Sequence, residues 1–278
     1  MTGPSDAAGS SRPSVPKPSP RPSSSRLMSY LESAAAGFME HADSLQDADV
    51  RDASRLPGWS RGHILAHVAG VADAMERQLR YAADGETIGL YDGGSDGRNR
   101  AIDEGAVRSA EQHRQQLGAS LNSALSAFRN LQESDWRTPI SYRGGVVRDG
   151  GLALWRELVI HGTDLGTGGE ADAWSPQFCE HLFGFLAARV PPGGRLRIQP
   201  AGMAPRVLAA VPLESGSAAD GSTVVVGGNT VSVDGMATDI AAWLAGRTPN
   251  LGSLRVEADT DAVDLPNLLP WPSGIPAK

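Results

Sequence analysis

Between Leu27 and Leu165, apolar residues recur every three or four positions through four long stretches, the period of an amphipathic helix. Leu27, Leu31, Ala35, Phe38 and Met39 form the first stripe. A second helix is predicted from Ser60, an N-cap placed behind Pro57-Gly58-Trp59, to about Ala83. Its apolar face is Ile64, Leu65, Val68, Val71, Met75 and Leu79. A third is predicted from about Ala101 to Leu131, with Leu117, Leu121, Leu125 and Phe128 in its stripe. The segment ISYRGGVVRDGG then reads as a short glycine-rich hairpin or loop. The fourth helix, Leu152 to about Leu165, presents Leu154, Leu158, His161 and Leu165 on one side. Such helices bury their stripes against one another, so a four-helix bundle is expected.

The pattern changes after Gly166. A helix is predicted over 175–190, followed by the β-like runs RLRIQP, RVLAAVPL and TVVVGGNTVSVDG, the last as a hairpin around Gly227-Gly228-Asn229. A further helix covers 236–247, and SLRVEAD reads as a terminal strand. The fold class is therefore α+β, with a bundle over 27–168 and a small α/β domain over 174–278. Residues 1–26 are rich in Pro and Ser without an aromatic residue, so they cannot offset their chain entropy by burial and are expected to be disordered. They lack the apolar core of a signal peptide, and no apolar run reaches the roughly 20 residues of a membrane span. A cytoplasmic location and no membrane partner are expected.

The formal net charge is -7, and the 1–26 segment carries Arg12, Lys17, Arg21 and Arg26 against Asp6, so the remainder is more acidic still. That argues against a nucleic-acid binder, which normally shows a basic stripe, and no nucleic-acid partner is expected. Cys179 is the single cysteine, which excludes an intrachain disulfide and a multi-cysteine metal site; its apolar helical setting reads as a core thiol. Lys17 and Lys278 are the only lysines, an arginine bias expected of a GC-rich, actinobacterial-type genome.

The fourth helix carries an anomaly. Glu157 and His161 lie four residues apart on a face shared with Leu154, Leu158 and Leu165. On the second helix His67 falls among Ile64, Val68 and Val71. A carboxylate aimed into an apolar core costs several kcal/mol unless it is paired. One divalent cation accounts for all three groups and leaves an open coordination position, as in catalytic sites. Two plainer readings stand beside it: Glu157 pairs with His161 alone, and His67 is a satisfied core histidine. His63 precedes His67 in HILAH, where Ile64 occupies the place of a metalloprotease glutamate, so His63 is read as helix surface or as a support for the site. His41, His113 and His181 sit among polar neighbours and are read as surface residues.

LPGWSRGHILAHVAG followed by LWRELVIHGTDLG resembles the mycothiol-dependent maleylpyruvate isomerase family, within the wider DinB group of metal-binding four-helix bundles. The resemblance runs from about Leu27 to Trp271. It implies a DinB-like bundle in which His67, Glu157 and His161 bind a divalent metal, usually zinc. It also implies contributions to activity from Arg98, in GRNRAID, and from Arg247, in Ala245-Gly246-Arg247. Asp164 matches a recurring position that orients a ligand. The sequence departs from the family in its Pro/Ser tail and in YDGGSDGRN, which leads into Arg98 and leaves the family's substrate open.

The implied chemistry uses mycothiol as a cosubstrate. A thiol with pKa near ~8.5 is mostly protonated at neutral pH, and a dication deprotonates it. The reading placed first is S-transfer to a small electrophile. The alternative is cis–trans isomerisation of maleylpyruvate, in which the thiolate adds to the double bond, the single bond rotates and elimination follows. A non-catalytic metal- or ligand-binding bundle is the third.

Overall fold

The computed structural model describes residues 22–209, 230–258 and 264–272. Within the segment read as a disordered tail, residues 1–21 lie outside that range. Ser23, however, already caps a helix by accepting from the Arg26 N–H at 3.3 Å, and α1 runs Ser24–Asp43. A short α2, Asp47–Arg51, leads to α3, Arg61–Ala83, which starts behind Ser60 as the capping pattern requires. The stretch read as one third helix is two: α4, Gly94–Ala106, and α5, Ala110–Arg129. Ser109 ends the continuity because it caps α5 reciprocally with Gln112, satisfying N–H groups that a continuous helix would have bonded internally. The glycine-rich linker closes with a single Pro139–Val146 bridge, and its second half is already α6, Val147–Asp164.

Helices α1, α3, α5 and α6 form the bundle, with α3 between α5 and α6, and α1 closing the ring opposite. Helix α4 lies along α3, and the approach is tight at Gly62, where a Cβ would sit 2.3 Å from the Ala106 carbonyl oxygen. Only glycine permits that contact. No helix among the described residues is long and apolar enough to cross a membrane.

The second part begins with α7, Pro176–Leu186, and carries α8, Ala237–Leu244, packed on it. Strands β1 (Arg195–Pro200), β2 (Arg206–Ala209), β3 (Thr230–Gly235) and β4 (Arg255–Ala258) form one sheet in the order β2-β1-β3-β4. β1 and β3 are parallel, and each edge strand is antiparallel to its neighbour. Leu196 and Ile198 are buried while Arg195 and Arg197 are exposed, the alternation of a sheet covered on one face. The hairpin read around Gly227-Gly228-Asn229 lies outside the described residues. The class is α+β. The two parts meet on Trp155 of α6, which stacks on Tyr30 of α1 at 4.6 Å and meets Phe178 and His181 of α7 at 5.1 and 5.4 Å.

Two histidines read as surface residues are not. His181 is half-buried in that aromatic junction, and His113 is 3% exposed, because its helical position puts it one turn before Leu117 on the core face. Burial, reinforced by Arg108, pushes the His113 pKa from 6.5 down to about 4. The unfolded chain therefore binds a proton that the folded one refuses between those values, so stability is lost as pH falls through that window and levels off below it. His113→Gln is expected to flatten this part of the curve, read as urea midpoints at pH 7 and pH 5. An unchanged pH slope would contradict the assignment.

Candidate metal and substrate site

Helix α3 separates the roles of its two histidines. His63 is spent on the cap: Ser60 Oγ lies 2.7 Å from its Nδ1, and the Ser60 N–H donates to the same nitrogen at 3.2 Å. One turn further, His67 is buried on the face turned to α6, with Trp59 edge-on to its ring at 5.6 Å. Across from it, α6 projects Glu157 and His161. One oxygen, Glu157 Oε2, lies 2.9 Å from His67 Nε2 and 3.0 Å from His161 Nε2. The two imidazole planes stand at 88° with centroids 4.8 Å apart, so both nitrogens converge on the same point. Both plainer readings from the spacing therefore merge into one cluster, in which Glu157 contacts both histidines.

The electrostatics are those of a shared anion. Burial pushes the Glu157 carboxyl up, but the hydrogen bonds of His161 and His67 outweigh it and hold the group well below the usual carboxylate range. Burial lowers His67 in spite of its bond to Glu157. Burial also opposes protonation of His161, yet its bonds to Asp164 and Glu157 prevail and bring it up to about 8. Two imidazole nitrogens and one carboxylate oxygen within 4.8 Å of one another are a donor set suited to a divalent cation.

Behind His161 runs a chain of bonds that crosses into the second part of the molecule. His161 Nδ1 lies 2.9 Å from Asp164 Oδ2, and the Asp164 side chain is 1% exposed. Arg247 closes on the same carboxylate with both arms, Nε to Oδ1 at 2.9 Å and Nη2 to Oδ2 at 2.6 Å. Gly246 ends α8 at φ +71°, a left-handed turn, and Arg247 Nη1 donates to the Ala245 carbonyl. A carboxylate bonded to the far nitrogen of a ligating imidazole fixes its tautomer and orientation, the support expected of a metal site.

Arg98, the other arginine singled out by sequence, lies on α4 with Nη2 3.2 Å from His67 Nδ1 and Nη1 2.9 Å from Asn99 Oδ1. A guanidinium only donates, so in this contact His67 Nδ1 is the acceptor. The same group faces the Tyr91 ring at 6.0 Å, and burial raises the Tyr91 phenol to about 12.

These groups open onto a cavity of about 290 Å³. It brings His67, Glu157, His161, Arg98 and Arg247 together. It also holds residues that sequence reasoning passed over: Tyr91, Tyr142, Arg156 and Trp271. Arg156 had a visible signal, a lone cation in the apolar run LALWRELVI. Tyr142 and Trp271 had none, because neither lies on a helix with an apolar stripe: Tyr142 opens a short 3-10 turn ahead of α6, and Trp271 is in irregular chain.

The sequence profile described as the mycothiol maleylpyruvate isomerase N-terminal domain matches residues 31–166, and that of the MDMPI C-terminal domain matches 173–267. Two similar solved structures are described as crystal structures of the mycothiol-dependent maleylpyruvate isomerase and of a histidine-to-alanine mutant of it. They superpose with TM-scores of 0.71 and 0.70 at 19% and 18% identity. Each match covers 88% of this chain and 95% of the other, and at that identity the likeness is one of fold. No curated protein matches.

Proposed function

This chain belongs to the mycothiol maleylpyruvate isomerase family, and from that premise we propose that it is a mycothiol-using, metal-dependent cis–trans isomerase of a small unsaturated carboxylate such as maleylpyruvate. The observation that carries the reading is the convergence of His67 Nε2, His161 Nε2 and Glu157 Oε2 at the wall of a cavity that arginines also line. S-transfer, placed first from sequence, has no feature of its own in the cavity, whereas the family and its fold neighbours carry the isomerase name.

His67, Glu157 and His161 would hold a divalent cation, whose Lewis acidity would keep a thiol as its thiolate near neutral pH. The thiolate adds to one alkene carbon of the substrate, and the electron pair moves onto the conjugated carbonyl oxygen as an enolate. The former double bond is then single and rotates. Collapse of the enolate expels the thiolate and leaves the trans alkene, so no thiol is consumed. Arg98 stands beside His67, where it can stabilise developing enolate charge. Arg247 is a positioning residue: its arms are occupied by Asp164, through which it holds His161.

The test is incubation of the zinc-loaded protein with mycothiol and maleylpyruvate, followed by absorbance and mass. Trans product with undiminished free thiol is expected. Stoichiometric loss of thiol with an accumulating conjugate would replace isomerisation by S-transfer. Neither product with active, zinc-loaded protein would remove both.

A further inference from the structure

Arg156 sits beside Glu157 on α6, lines the same cavity and is 4% exposed. Its environment is unusual for a buried cation. Nη1 lies 2.9 Å from His181 Nε2, Nη2 donates to the Tyr142 hydroxyl at 3.1 Å, and the guanidinium carbon stands 3.7 Å from the Phe185 ring centroid. All three partners are neutral, since a guanidinium can only donate and the His181 nitrogen must therefore accept. No carboxylate forms an ion pair with it among the described residues. Arg247, by contrast, is closed on Asp164, Arg129 on Glu32 and Arg148 on Glu133. Neighbouring Glu157 directs its Oε2 to the two imidazoles and makes no hydrogen bond to Arg156. Arg143 adds a second guanidinium over the same Phe185 ring at 5.1 Å, and Glu157 acts on Arg156 only through space, without a bond to it.

A buried cation without a counter-ion costs several kcal/mol, and proteins retain one where a ligand supplies the missing charge. A guanidinium has five N–H donors, and His181 and Tyr142 engage only one on each terminal nitrogen. Those two contacts and Phe185 hold the plane still, which lowers the entropy cost of a two-point bond to a carboxylate. We propose that Arg156 is the fixed carboxylate-recognition group of this cavity, binding a carboxylate of the substrate while Tyr142, His181 and Phe185 hold its fork in place. The proposal rests on the isomerase reading for the identity of the substrate, and it makes that substrate an anion anchored through a carboxylate.

The experiment has two independent arms on the zinc-loaded protein. In the first, calorimetric titration compares a saturated four-carbon dicarboxylate with its dimethyl ester, which has no free carboxylate, without any turnover. Wild type is expected to bind the diacid at least ~10-fold more tightly, and Arg156→Lys to erase most of that preference, because an ammonium keeps the charge and loses the fork. In the second, Arg156→Lys raises KM for maleylpyruvate ~10-fold and Arg156→Met ~100-fold, with kcat and the KM for mycothiol changed much less. If Arg156→Met fails to fold, Arg156→Lys and the ester comparison decide alone. Equal binding of diacid and ester by wild type, or unchanged KM in Arg156→Lys, overturns the proposal. Arg156-dependent binding of the diacid by a protein that isomerises nothing would sustain this proposal and sink the isomerase reading.

Discussion

Glu157→Gln is expected to lower zinc affinity by roughly 100-fold or more and to remove turnover, while leaving the fold intact. Changing a group that merely supports a ligand costs about 10- to 100-fold in metal affinity, and Glu157 is placed to be a ligand itself. Its Oε2 lies within hydrogen-bond reach of both imidazoles. Glutamine keeps the shape but removes the negative charge that two imidazoles and a dication all require. The fold should persist because the flanking residues, Leu154, Leu158 and Ile160, are buried in the core on their own account. Zinc affinity is read by competition with a chromophoric chelator, and folding by the thermal midpoint. A Glu157→Gln protein that holds zinc as tightly as wild type and still turns over would show the site to be wrongly placed.

The second large effect is expected at Asp164. Asp164→Asn breaks both ends of the His161–Asp164–Arg247 chain at once. Removing one partner of a buried ion pair costs about 3–5 kcal/mol; the Arg247 side chain is 20% exposed, so about 2–4 kcal/mol is expected here. His161 also loses the acceptor that fixes its tautomer, so zinc affinity should fall a further 10- to 100-fold. Because Arg247 acts through this carboxylate, Arg247→Met and Asp164→Asn should not add. The double variant is expected to lie close to the worse single variant in both urea midpoint and zinc affinity. Strict additivity would mean that Arg247 works on something other than Asp164.

Much of the bundle was legible because an apolar stripe has few ways to be satisfied. Ser60, Ile64, Val68 and Val71 suffice to place α3, and with it His67 on the inward face. The two misplacements there have plain causes. The Ser109–Gln112 box was present in the sequence, but the apolar stripe continues across it and a stripe does not reveal a break in the backbone. His113 was assigned by its neighbours Glu111, Gln112 and Arg114, whereas in a helix its neighbours are Leu117 and the residues of the facing helix. The same confusion of sequence adjacency with spatial adjacency hid His181.

The convergence of His67, Glu157 and His161 was reachable from sequence in one sense only. Spacing puts Glu157 and His161 on one face, since i and i+4 are a property of any α-helix. Whether His67 meets them depends on α3 and α6 being neighbours in the bundle, at a height that no local pattern encodes. Arg98 and Arg247 are further still from the reach of local rules, 31 and 83 residues from the partners they touch. The opening feature, four apolar stripes of helical period, thus determined by itself that there would be helices, which faces they would bury, and that a carboxylate and two imidazoles would be buried with them. Tertiary structure alone decided that these three converge on one point, that Asp164 joins them to an arginine from the other part of the chain, and that Arg156 beside them forms no ion pair with a carboxylate among the described residues. The reason is physical: periodicity is set by local backbone geometry, while charge pairing is a matter of distance through space, which only the packed chain defines.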